Sequence, residues 1–120
     1  MLDYRTTLRK LALRDDRYIE ALLTREDANV AESGLDPGRR ALVEIGALVA
    51  VDAAPPSYMR VVEDALEAGV TYEELVGALI VVLPVVGIPR IVSAAPNLGL
   101  AIGYDVGEAL EALEPEGDPA

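Results

Sequence analysis

The chain has 120 residues, 52% of them hydrophobic, and its 10 Lys and Arg stand against 21 Asp and Glu, a net charge of −11. That length suits one domain around one core, and so acidic a chain is a poor match for nucleic-acid phosphates or anionic membrane surfaces. With no Cys and no His, the chain lacks the means for disulfides, thiolate metal sites, thiol redox chemistry and the usual general base, so neither a metal nor a cofactor is expected.

There is no Phe and no Trp, and only five Tyr. The core must therefore come from Ala, Val, Leu and Ile, residues that suit close helix packing. Residues 1–10 contain no apolar stretch of the signal-peptide kind. The longest uncharged run, Leu75–Pro89, is shorter than the ~20 residues needed to span a bilayer. The expectation is a cytoplasmic protein with no membrane and no nucleic-acid partner.

Residues 4–23 read as helical, with Leu8, Leu11 and Ala12 on one stripe and Tyr18, Ile19, Leu22 and Leu23 on another. The step Arg14-Asp15-Asp16 breaks them, with an Asp capping the second helix. Residues 24–34 are polar, a short irregular or helical connection. Asp36 then offers an N-cap and Pro37 a first helical residue, and residues 39–51 follow with Leu42, Val43, Ile45, Leu48 and Val49 as an apolar face.

Asp52-Ala-Ala-Pro-Pro56 ends that helix, and Ser57 is the next candidate cap. Tyr58, Val61, Val62, Ala65 and Leu66 share a face, and Gly69 closes the helix. Thr71 with Glu74 has the spacing of a capping box. The helix it opens is apolar on every side, so it needs partners all round. Pro84 and Gly87 should stop or kink it. Residues 90–103 read as a disturbed Ala-rich helix. Asp105 caps a short amphipathic helix at 106–113, and 114–120 reads as a frayed acidic tail.

The order of these signals resembles the carboxymuconolactone decarboxylase-like family, which includes the alkylhydroperoxidase D branch. The resemblance rests on GLDPGRR at 34–40, AAPPSYMRVVEDALEAGVTYEELVGAL at 53–79 and PVVGIPR at 84–90. It implies an all-α, single-domain protomer of about six to seven helices that assembles as a trimer or hexamer. N-terminal helices would occupy 4–24, the family core about 34–104 and the tail 114–120.

The resemblance does not carry an activity with it. In the hydroperoxidase branch the chemistry lies in Cys-x-x-Cys followed four residues later by His. Those positions fall here at Ala54, Ser57 and Val61, so a thiol peroxidase is not expected. The decarboxylase branch uses a His near the same helical position, where Val61 stands. The preceding helix often bears a Glu near its start; the residues there are Ala41 and Leu42, with Glu44 one turn on.

The remaining candidates are Glu44 as a catalytic acid or base, and Ser57, Tyr58, Arg60 and Arg90 as ligand contacts. Arg60 and Arg90 are the only cations beyond Arg40, so an organic acid would need one of them. Each has a plainer reading: a carboxylate in an ion pair, a helix cap, a core tyrosine, structural salt bridges. The leading expectation is a non-redox small-molecule binding or assembly protein, or an enzyme of unknown reaction, with a small organic acid or lactone as ligand. Its rival is a cofactor-free lactone decarboxylase, a lyase, using Glu44 with Tyr58 or Arg90. A third reading is a structural subunit that pairs with an active paralogue.

Overall fold

The computed structural model describes residues 3–117, with side chains described for 3–113. Among the described residues there are eight helices and no strand: α1 (Tyr4–Ala12), α2 (Asp16–Thr24), α3 (Glu26–Ser33), α4 (Pro37–Ala50), α5 (Pro55–Glu67), α6 (Tyr72–Val86), α7 (Ile88–Ala101) and α8 (Val106–Gly117). The all-α expectation holds, but six to seven helices was too few. The extra one is α3, whose sequence EDANVAES has no apolar stripe to announce it. The helices fall into two compact units, Met1–Asp36 and Pro37–Ala120.

The first unit is organised by local polar contacts. Arg14 takes a left-handed φ of 55° between α1 and α2. Asp15 then caps α2, its Oδ1 accepting from the Tyr18 amide at 3.2 Å. The Tyr18 hydroxyl donates to Glu32 of α3 at 3.2 Å, and Asn29 Nδ2 donates to the Leu22 carbonyl at 3.0 Å. Arg25 and Asp27 pair at 2.8 Å in full solvent, where such a pair adds little. No described residue of this unit is buried.

The second unit contains the core. Ala41, Ile45 and Val49 repeat every four residues along α4 and meet Tyr58, Val61, Val62 and Ala65 of α5, Leu75 and Leu79 of α6, and Ala94 and Leu98 of α7. Helix α4 packs on all three of these helices. Gly46 lets α6 come close: a Cβ there would lie 3.2 Å from Val82 Cγ1. At Gly99 the approach is closer still. A Cβ would sit 2.7 Å from the Tyr104 carbonyl oxygen and 2.9 Å from Val106 Cγ2, so the turn into α8 folds directly onto α7.

Thr71 opens α6 with a full capping box. Its hydroxyl accepts from the Glu74 amide at 3.1 Å, and Glu74 Oε1 accepts from the Thr71 amide at 2.8 Å. The helix passes through Pro84 and ends at Gly87, whose φ of 88° excludes most other residues. Only one side of α6 is covered within the chain, by Leu75 and Leu79 with Val82 and Val86 beside them. Val76, Ile80, Val81, Leu83 and Val85 are exposed, Val85 at 83%.

Helix α8 is capped by Asp105, whose Oδ1 accepts from the Glu108 amide at 2.9 Å. It continues to Gly117, so the helix extends into the stretch expected to fray; 118–120 lie outside the described residues.

Candidate functional site

The sequence candidates gather, in part, where α4 hands over to α5. Helix α4 ends in a Schellman turn: the Ala53 amide donates to the Leu48 carbonyl at 3.0 Å and the Asp52 amide to the Val49 carbonyl at 3.2 Å. The position after such a helix normally belongs to glycine because the backbone is left-handed there. Asp52 occupies it with φ 53°, a conformation that costs a non-glycine residue roughly 1 kcal/mol. Its carboxylate also faces the negative end of the α4 dipole.

Two contacts offset these costs. The Ser93 hydroxyl of α7 donates to Asp52 Oδ1 at 2.7 Å, and Arg90 Nη1 lies 3.4 Å from Asp52 Oδ2. Both members of the ion pair are about half exposed, so water and a competing anion can reach them.

Tyr58 stands one turn into α5 with its ring in the core. Its hydroxyl makes no hydrogen bond among the described residues, and with the residue 1% exposed only a sliver of it meets solvent. Burial first, and the Asp52 charge second, push the phenol above its ordinary range. It remains a neutral donor throughout physiological pH.

Ser57 is not the cap of α5. The cap position is Ala54, Pro55 and Pro56 fill the first two helical places, and Ser57 lies inside the first turn. Proline at these places supplies the fixed φ and needs no amide partner, which removes the demand for a polar cap. The Ser57 hydroxyl is left exposed and unbonded. Val61 is buried in the core.

Arg60 is exposed on α5 and bonds no other described residue. Glu44 is half-buried on α4, and it forms no hydrogen bond or ion pair with Tyr58, Arg90 or any other described residue. The structure thus joins Arg90 to Asp52, which Ser93 also holds, and puts Tyr58 within the field of Asp52; sequence reasoning missed Asp52 and Ser93. The structure does not join Ser57, Arg60 or Glu44 to them by any bond. The one local signal for Asp52 was an acidic residue where a helix-ending glycine belongs. The Ser93 and Arg90 contacts span about forty positions and leave no mark in the sequence.

The corner presents one carboxylate, one guanidinium and the Ser93 hydroxyl at the surface, with the Tyr58 phenol buried behind them. Such a set can hold a small carboxylate or carbonyl by charge-assisted hydrogen bonds. Among the described residues no three His, Cys, Asp or Glu gather closely enough to hold a metal ion. No helix among them is long and apolar enough to cross a membrane.

No curated protein and no solved structure matches the chain. A family model does, over residues 16–98, and its description is the carboxymuconolactone decarboxylase family. The match takes in α2 to α5, α6 and most of α7, and begins well before the Gly34 at which the sequence resemblance set in. By the extent of that match, this all-helical, cysteine-free chain belongs to the carboxymuconolactone decarboxylase family.

Proposed function

We propose that the protein is a cytoplasmic, non-redox member of its family. It assembles as a homo-oligomer, trimer or hexamer, and binds a small organic acid or lactone at the corner formed by Asp52, Tyr58, Arg90 and Ser93. The observation that carries the binding reading is this corner itself. It lies beside the first turn of α5, the helix where the family resemblance expects thiols and a histidine. In their place stand Ala54, Ser57 and a core-packed Val61. A half-exposed Arg90 held at 3.4 Å can exchange its carboxylate partner for that of a ligand, with the neutral Tyr58 hydroxyl as a second donor.

The assembly reading rests on α6 and α7. From Leu75 to Ala101 the only charge is Arg90. Along that stretch Val76, Ile80, Val81 and Val85, with Ile88 and Val92 of α7, stand exposed. Soluble monomers rarely tolerate a contiguous apolar patch of more than a few hundred Å².

Calorimetric titration with small dicarboxylic acids and unsaturated γ-lactones tests the binding. Saturable binding by one of them, abolished in Arg90→Ala, is the expected result. Absence of binding across the panel, or binding that Arg90→Ala leaves unchanged, overturns it. A hydroperoxide and dithiol assay should show no turnover.

A second reading is a cofactor-free lactone decarboxylase. It draws on Glu44, half-buried and without a hydrogen bond or ion pair among the described residues, as the group for proton transfer. Lactone decarboxylation lost in Glu44→Gln would establish it.

A further inference from the structure

Helix α1 is amphipathic with its faces reversed. Tyr4, Leu8 and Leu11 recur at i, i+4 and i+7 and form one stripe, with Arg5, Arg9 and Lys10 outside it. A surface helix ordinarily turns such a stripe inward. Here Tyr4, Leu8 and Leu11 are exposed, the first two above 60%. The half-buried positions are instead Thr6, Thr7 and Lys10. Lys10 Nζ lies 5.0 Å from the centre of the Tyr18 ring on α2.

The cations of α1 lack acids. Arg5 stacks over Tyr4 at 4.9 Å, and Arg9 reaches only the Thr6 hydroxyl, at 3.4 Å. None of the three has a carboxylate partner among the described residues. Residues 1–14 hold Arg5, Arg9, Lys10 and Arg14 against Asp3, a net +3 in a chain of −11, which leaves −14 on the remainder.

Helix α5 carries the complementary set. Met59 and Leu66 are exposed and lie two turns apart, as Tyr4 and Leu11 do. Glu63 and Glu67 flank them, exposed and without an ion pair among the described residues. Helix α6 offers apolar surface but no acid beyond its first turn.

We propose that α1 of one chain docks on the outer face of α5 of a second copy. Tyr4, Leu8 and Leu11 meet Met59 and Leu66, and the exposed Arg5 and Arg9 meet Glu63 and Glu67. The occupant proposed for each face is the other face on a second copy, which the charge complementarity favours. A second copy suits α1 better than an anionic bilayer, which would attract three cations and repel the −14 that follows them. Nine residues bury less than a stable dimer needs. The arm therefore reinforces an assembly held by α6, and to that extent rests on the homo-oligomer reading.

The cysteine-free sequence makes the test clean. Leu8→Cys in a tagged chain is co-expressed with Met59→Cys, Leu66→Cys or, as control, Leu110→Cys in an untagged chain, then oxidised. A disulfide between the two chains at Met59→Cys or Leu66→Cys, well above the Leu110→Cys level, is expected; which of the two reacts gives the direction of α1. The double change Arg5→Glu, Arg9→Glu should lower the cross-link to the control level, and Glu63→Lys with Glu67→Lys in the other chain should restore it. Circular dichroism checks that the variants are folded. No cross-link in a chain that light scattering shows to be oligomeric overturns the arm and spares the assembly. No cross-link in a monomer overturns both. Cross-linking as strong at Leu110→Cys, or flotation with phosphatidylserine vesicles in its absence, also overturns the proposal.

Discussion

The two units of the chain use similar apolar residues to opposite ends. In Pro37–Ala120, Ile45, Val49, Leu75 and Leu98 are each at most 1% exposed and hold four helices together. In Met1–Asp36, leucines are no scarcer, yet Leu8, Leu13 and Leu23 stand in solvent and none is buried. Apolar content alone does not make a core. Segments below ~40 residues rarely enclose one without a staple, and the first unit is held by caps, side-chain hydrogen bonds, exposed ion pairs and cation–ring contacts. The family match nevertheless begins at residue 16, so α2 and α3 belong to the family architecture, and α1 stands outside the match.

The sharpest break between the units should appear on truncation. Ile45→Ala removes a fully buried side chain and should cost about 2–5 kcal/mol, whereas Leu23→Ala in the first unit should stay within about 0.5 kcal/mol. Urea denaturation at fixed protomer concentration compares them; a Leu23→Ala loss as large as that of Ile45→Ala would erase the distinction. Next comes Gly99→Ala. The new methyl would meet the Tyr104 backbone oxygen as well as the Val106 side chain, so a loss of about 1–3 kcal/mol is expected. The same assay reads it, and an unchanged midpoint would mean that the turn into α8 yields freely.

Thr71→Ala deletes one half of the capping box and should cost about 1 kcal/mol. Thr7→Ala in the first unit loses only an exposed hydroxyl contact, at 3.3 Å to the Asp3 carbonyl, and should cost less. The smallest effect is Tyr58→Phe. Its hydroxyl bonds nothing in the chain, so stability at pH 7 should change little. The native phenol is shifted upward, so folding holds its proton where the unfolded chain releases it. Stability should then fall as pH rises from about 10 through the native value, and Tyr58→Phe should lessen that alkaline loss. An identical alkaline profile in both proteins would show that the field of Asp52 and burial leave no thermodynamic trace.

What the sequence disclosed follows from range. The caps at Asp15, Thr71 and Asp105 were legible because each partner lies three residues away. The break at Arg14, the start at Pro37 and the end at Gly69 were equally local. Residues 24–34 could be read only as an irregular or helical connection, because α3 carries no apolar stripe to decide between them. Ser57 was mistaken for a cap because two prolines before it already serve as the first helical residues. At the candidate site, Tyr58 and Arg90 could be singled out by type, but Asp52 could not. Its meaning depends on a left-handed backbone and on Ser93 and Arg90, which only folding brings to it. Val82, mid-run on a helix without a polar face, packs close to Gly46 of α4, whereas Val85 stands in solvent. Val85→Glu should therefore leave the fold intact while opposing assembly.

Other copies of this chain are proposed to cover the exposed face of α6 and α7. Light scattering coupled to gel filtration, at micromolar protein and at both low and high salt, measures it directly. The account predicts a single species of three or six times the 12.7 kDa chain mass. A well-folded species of 12.7 kDa at both salt concentrations would contradict it.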